Sequence, residues 1–167
     1  IVVGIPNIDR NFDLDSRENG ENFLDFLSKE LIPYIDSTFK TNENRLLLGY
    51  SVAGNFAMYA FLNKNASFDM FLAGAPYRLN MYGEDDINSL FSTANTSKSI
   101  YTSMGSNDRP NHFQFYADFC KLFEGRASEA IDFKSEVVEN RDHENNYLLN
   151  WQDGLDYLYR DWNGKRE

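Results

Sequence analysis

Arg45-Leu46-Leu47-Leu48-Gly49-Tyr50-Ser51-Val52-Ala53-Gly54 is an aliphatic run that breaks into a small-x-Ser-x-small turn and leads straight into a helical pattern. The order is strand, sharp turn, helix. A serine at the apex of such a turn sits in a strained backbone conformation, with its hydroxyl aimed away from the sheet. Small residues around it let neighbouring backbone pass. The usual spelling is G-x-S-x-G; here the second small position is Ala53, with a glycine one step later at Gly54. Five residues match by chance in many chains, so the surroundings have to decide. The bland alternative, a helix N-cap serine after a glycine turn, needs no partners elsewhere.

The surroundings favour the elbow. Residues 46–48 form a continuous aliphatic run of the kind a strand buried on both faces shows, and Phe56, Ala57, Tyr59 and Ala60 carry helical spacing. Working outward, residues 1–5 read as a strand, and Phe23, Leu24, Leu27, Leu31 and Ile35 recur as on a helix that Pro33 bends or ends. Strands over 46–49, 70–75, 100–104 and 133–138 alternate with helices over 54–62, 113–123 and 151–162. Such alternation predicts an α/β fold, a mostly parallel sheet flanked by helices on both faces, in a single domain over 1–167.

In a sheet of this kind functional groups gather at the C-terminal ends of the strands. Ser51 follows the strand at 46–49, Asp108 follows 100–104, and His143 follows 133–138. The chain order Ser, Asp, His is that of α/β hydrolases and differs from the chymotrypsin and subtilisin orders. A neutral alcohol is a poor nucleophile. An imidazole poised near neutral pH can take the serine proton and pass it to a leaving group, while a carboxylate on its far nitrogen fixes the tautomer. His143 is the candidate base. His112, the only other histidine, opens a predicted helix, where an exposed or capping role is expected. Asp108 is the candidate acid on position, with Asp142, Glu139 and Asp86 in neighbouring loops as alternatives and a Ser-His dyad also open. The N–H of Val52, the residue after the serine, is the expected oxyanion donor.

Composition excludes other chemistry. The chain of 167 residues is 42% hydrophobic and 16% aromatic, as a packed domain requires. A net charge of -10 with no Lys/Arg stripe leaves nucleic-acid binding without electrostatic support. No apolar run approaches the ~20 residues of a membrane span, and no signal-peptide pattern opens the chain, so a soluble protein, cytoplasmic or periplasmic, is expected. One cysteine, Cys120, in a helical segment reads as an inert thiol. With two histidines there is no zinc spacing, and no phosphate-binding or dinucleotide-binding glycine loop is present, so cofactor-free chemistry is expected.

Three stretches carry a family resemblance: residues 1–10 (IVVGIPNIDR), 26–35 (FLSKELIPYI) and 48–54 (LGYSVAG). With His143 and the closing segment Trp151-Gln152-Asp153-Gly154-Leu155-Asp156-Tyr157-Leu158, the chain resembles the putative-esterase branch of the α/β-hydrolase superfamily. That branch includes S-formylglutathione hydrolase, the enterobactin esterases and the feruloyl esterases. The resemblance implies an α/β-hydrolase fold and ester hydrolysis through an acyl-serine, with Ser51 as nucleophile, His143 as base and Asp108 at the acid position.

Two departures stand out. The family turn commonly reads Gly-His-Ser-x-Gly-Gly, so Tyr50 and Ala53 are substitutions, and the family's early strands with their oxyanion loop have no counterpart. The chain therefore reads as the C-terminal part of a longer catalytic domain, weakly active or inert by itself, with residues 1–3 left as an exposed edge. The substrate is expected to be a small ester. Candidate contacts are Tyr50, Arg10, and Tyr77 and Arg78 on the 76–99 connection, which reads as either a wall over Ser51 or an ordinary solvated loop with a short helix. The competing reading is a non-catalytic binding domain on the same scaffold.

Overall fold

Residues 1–63, 66–93, 97–126 and 128–161 are described by the computed structural model. Four parallel strands, β1 (Leu46–Tyr50), β2 (Met70–Gly74), β3 (Lys98–Gly105) and β4 (Ile131–Val138), lie in the order β1-β2-β3-β4. Each connection carries helix, as parallel neighbours require. Before the sheet come α1 (Arg10–Asp13), α2 (Gly20–Phe26) and α3 (Ile32–Thr38). Then α4 (Val52–Leu62) follows β1, α5 (Glu84–Thr93) follows β2, α6 (Pro110–Lys121) follows β3, and α7 (Tyr147–Leu158) follows β4.

Side chains alternate across the sheet, so its two faces receive different helices. Phe71 meets Phe61 of α4 at 5.5 Å between ring centroids, and Phe133 stacks at 3.8 Å on Phe123, just beyond α6. Leu72 and Tyr101 point the other way, toward α7. There a Cβ on Gly154 would come within 2.6 Å of Leu72 and 2.9 Å of Tyr101, so the missing side chain is what lets this helix settle on the strands. Burying rings such as Phe61 and Phe71 completely stabilises the fold by about 1.5–3 kcal/mol each.

Four local expectations change. Residues 1–5 form no ladder among the described residues, and Val2 is fully in solvent, because an extended segment becomes a strand only against a partner and β1 does not pair with it. Leu48 is 38% exposed, since β1 is an edge strand and α7 covers β2 and β3. Pro33 does not end its helix. It lacks the N–H that the Lys29 carbonyl would otherwise meet, and a π-helical turn over Leu27–Leu31 widens the ladder immediately before it. The last helix begins four residues earlier than the pattern suggests and stops at Leu158; Trp162 lies outside the described residues.

Candidate active site

Ser51 stands between β1 and α4 with φ 61° and ψ -116°, a left-handed conformation that costs a non-glycine residue about 1–3 kcal/mol. Close packing holds it there. A Cβ on Gly49 would sit 2.1 Å from the Ala53 carbonyl oxygen, and one on Gly54 would sit 2.3 Å from that of Gly74. The Ala53 methyl is accommodated because it lies across from Gly49, which offers no side chain of its own. The Ser51 amide donates to the Gly74 carbonyl at 2.9 Å, tying the turn to the end of β2.

Asp108 and His143 arrive on two loops that are laced together. The Ser106 amide donates to Val138 O at 3.0 Å, the Asn107 amide to Arg141 O at 2.8 Å, and the Asn140 amide to Ser106 Oγ at 2.9 Å. Gly105 is required at this crossing, since a Cβ would meet the Arg141 oxygen at 2.3 Å. Around the histidine, Asp142 accepts from the Glu144 and Asn145 amides through its Oδ1, a turn held by its own side chain.

The lacing brings the three candidate side chains into contact. His143 Nε2 lies 2.8 Å from Ser51 Oγ, and His143 Nδ1 lies 2.9 Å from Asp108 Oδ2. An ionised carboxylate only accepts, so Nδ1 carries the proton and Nε2 is left to receive the serine hydroxyl. The Asp108 side chain is fully buried and the His143 ring is a quarter exposed. The Arg109 amide donates to Asp108 Oδ1 at 2.7 Å, and α6 begins at the next residue. Of the alternative acids, Asp142 is engaged in its own turn and Asp86 accepts from the Gly83 amide.

A cleft of about 550 Å³ opens over the serine, lined by Ser51, Val52, Tyr77, His112 and His143 and by charged residues from both sides. As the first residue of α4, Val52 has an amide with no intrahelical partner. Tyr77 is placed in the wall by Asn55, whose Oδ1 accepts from the Tyr77 and Arg78 amides at 2.7 and 3.0 Å.

Other candidates lie elsewhere. Arg78 turns away from the cleft to pair with Asp15, which also accepts from Arg17. Tyr50 stands behind the histidine loop, its hydroxyl donating to His143 O at 2.8 Å; burial first, and then the Asp108 charge, push its ionisation well above the usual tyrosine range. Cys120 is packed away from the cleft, and burial pushes its thiol up to about 11.

His112 corrects an expectation. It is neither exposed nor a cap: its side chain is 15% exposed, its ring stacks on Tyr77 at 4.8 Å, and its Nδ1 comes within 3.4 Å of Asp108 Oδ1 without aligning as a hydrogen bond. The spacing held the signal. Residues 108 and 112 are four apart across the start of α6, which places the second histidine beside the Asp108 carboxylate. Among the described residues no cluster of three or more His, Cys, Asp or Glu is arranged to hold a metal ion, and no helix is long and apolar enough to cross a membrane.

A sequence model of the family described as "Putative esterase" matches residues 1–164. No curated protein matches. Among solved structures, the chain is similar to the BES protein from Bacillus cereus (TM-score 0.78, 18% identity, covering 89% of this chain and 63% of that one). It is also similar to an IroE-like serine hydrolase from Shewanella oneidensis (TM-score 0.72, 23% identity, 86% and 48%) and to the siderophore hydrolase EstA from Aspergillus nidulans (TM-score 0.70, 16% identity, 90% and 66%). At these identities the likeness is one of fold, which is that of the α/β hydrolases, and the chain spans about half to two thirds of the length of these structures.

Proposed function

This chain belongs to the family described as "Putative esterase", and from that membership we propose that it hydrolyses small carboxylic esters through an acyl-serine intermediate. The observation that carries the proposal is the continuous run of contacts from Ser51 Oγ to His143 Nε2 at 2.8 Å and from His143 Nδ1 to Asp108 Oδ2 at 2.9 Å.

In this mechanism His143 accepts the Ser51 proton as the oxygen attacks the ester carbonyl carbon. The resulting oxyanion lies against the Val52 amide at the positive end of α4. Collapse of the tetrahedral intermediate breaks the bond to the alcohol, which leaves with the proton from Nε2. Water, deprotonated by the same nitrogen, then releases the acid and regenerates Ser51. Asp108 keeps the proton on Nδ1 and offsets the charge of the imidazolium. Tyr77 forms a wall of the acyl or alcohol site, and Arg10 lies at its rim.

The test is turnover of a panel of short-chain aryl esters by the protein and by Ser51→Ala. Hydrolysis that falls to the background rate in the variant supports the proposal. Absence of turnover by the unaltered protein, or turnover that survives in Ser51→Ala, overturns it, and the former outcome favours a binding domain.

A further inference from the structure

Five of the eight arginines among the described residues pair with a carboxylate. With 26 acidic against 16 basic residues, carboxylates are abundant, and Arg17 and Arg78 pair with Asp15, Arg45 with Asp36, Arg126 with Glu84 and Arg160 with Asp132. The guanidinium groups of Arg10, Arg109 and Arg141 make no ion pair with a carboxylate among the described residues, and two of these three residues, Arg10 and Arg109, line the cleft that holds Ser51.

They reach it from unrelated parts of the fold. Arg10 opens α1, where Asp9 uses its carboxylate to cap the Asn11 and Phe12 amides, and Asp13 turns back to the Asp9 amide and to Asn19. The nearest acids are therefore committed to backbone and amide donors. Arg109 stands between Asp108 and α6; its amide serves Asp108, whose other carboxylate oxygen is held by His143, and its guanidinium is left over. The acidic lining is Asp108, held by His143 and the Arg109 amide, with Asp142 and Glu144 from the histidine loop, where Asp142 is occupied by its own turn.

We infer that Arg10 and Arg109 form a carboxylate subsite, so that the preferred substrate is an ester that carries a free carboxylate away from the scissile carbonyl. The inference deepens the esterase reading and rests on it. A guanidinium presents a planar fork of donors that matches a carboxylate bidentately, and it is desolvated more readily than an ammonium. Two such groups without carboxylate partners, beside the candidate nucleophile in an otherwise acidic molecule, offer an anion a local pair of positive charges.

Two matched pairs of esters test this. In p-nitrophenyl hemisuccinate against p-nitrophenyl butyrate the carboxylate lies on the acyl side; in p-acetoxybenzoate against p-acetoxybenzamide it lies on the alcohol side. The protein should favour the charged member of at least one pair in kcat/KM. That charged-to-neutral ratio should fall about tenfold in Arg109→Gln and in Arg10→Gln, and further in the double variant. It should also decline with added salt. Equal rates for charged and neutral members, or a ratio that the substitutions leave within twofold, overturns the subsite while leaving ester hydrolysis standing. Should none of the four esters be turned over, the esterase reading fails, and the subsite is then read by calorimetry with p-acetamidobenzoate against p-acetamidobenzamide. Binding of the charged amide alone, lost in the double variant, supports it, and no difference between the two amides refutes it.

Discussion

The Tyr50 hydroxyl donates a 2.8 Å hydrogen bond to the backbone carbonyl of His143, so the residue before the candidate nucleophile holds the loop that carries the candidate base. One strand end thereby sets both partners of the 2.8 Å Ser51–His143 contact. Tyr50→Phe removes the donor and little else. It is expected to lower thermodynamic stability by about 1 kcal/mol and to reduce kcat by several-fold with a smaller change in KM. Denaturant unfolding and steady-state kinetics measure both, and an unchanged kcat would separate this hydrogen bond from catalysis.

Gly54 is fixed by the carbonyl of Gly74, which a Cβ would approach to 2.3 Å. Because that atom is backbone in β2 and cannot swing aside, Gly54→Ala should force α4 from the sheet and cost about 1–3 kcal/mol. The displacement also moves Ser51, so activity should fall more than the loss of folded protein explains. Thermal unfolding together with turnover per folded molecule checks this; a variant of native stability would show that the turn tolerates the methyl.

Asp108→Asn keeps the shape of the acid and alters its hydrogen bonding. An amide can present its NH₂ to His143 Nδ1, which favours the tautomer with the proton on Nε2 and leaves nothing to accept the Ser51 proton. A fall in kcat of about 10³–10⁴ is expected with the fold intact. A loss below tenfold would mean that Ser51 and His143 act as a dyad.

Asp15 gives a pH dependence with a definite sign. The side-chain hydrogen bonds from Arg17, aided by the charges of Arg17 and Arg78, hold its carboxyl well below the usual carboxylate range despite the opposing effect of burial. A folded pKa below the unfolded value of 3.8 means that the contribution is fully present above that value and is lost as pH falls below it. The stability gap between the protein and Asp15→Asn should therefore be widest near neutral pH and narrow steadily as pH falls below about 4. Urea midpoints across that range measure it; a constant gap would show that the Asp15–Arg17–Arg78 cluster is not coupled to folding.

Legibility from the sequence followed the range of the forces involved. The strand-turn-helix at Ser51 was readable because its signals are local: an aliphatic run, glycines where backbone must pass, and an apolar helix behind. The positions of Asp108 and His143 at strand ends followed from alternation alone, since parallel strands deliver their C-terminal loops to one edge. Residues 1–5 carry equally strong strand composition yet form no strand, because pairing is a property of two segments and composition describes one. Arg78 and Tyr77, adjacent in sequence, illustrate the same limit. One turns to Asp15 and the other to the cleft, a division made by Asn55 and by an acid sixty-three residues away in the chain. His112 was legible only through its one-turn spacing from Asp108, and its stacking on Tyr77 depends on a loop whose path no local pattern encodes.

Covalent labelling tests the central claim most directly. A fluorophosphonate should modify the protein once, on the peptide that contains Ser51, and His143→Ala should slow that reaction by at least about a hundredfold because the hydroxyl loses its proton acceptor. An adduct at another residue, or an equal labelling rate in His143→Ala, would contradict a serine activated by that imidazole.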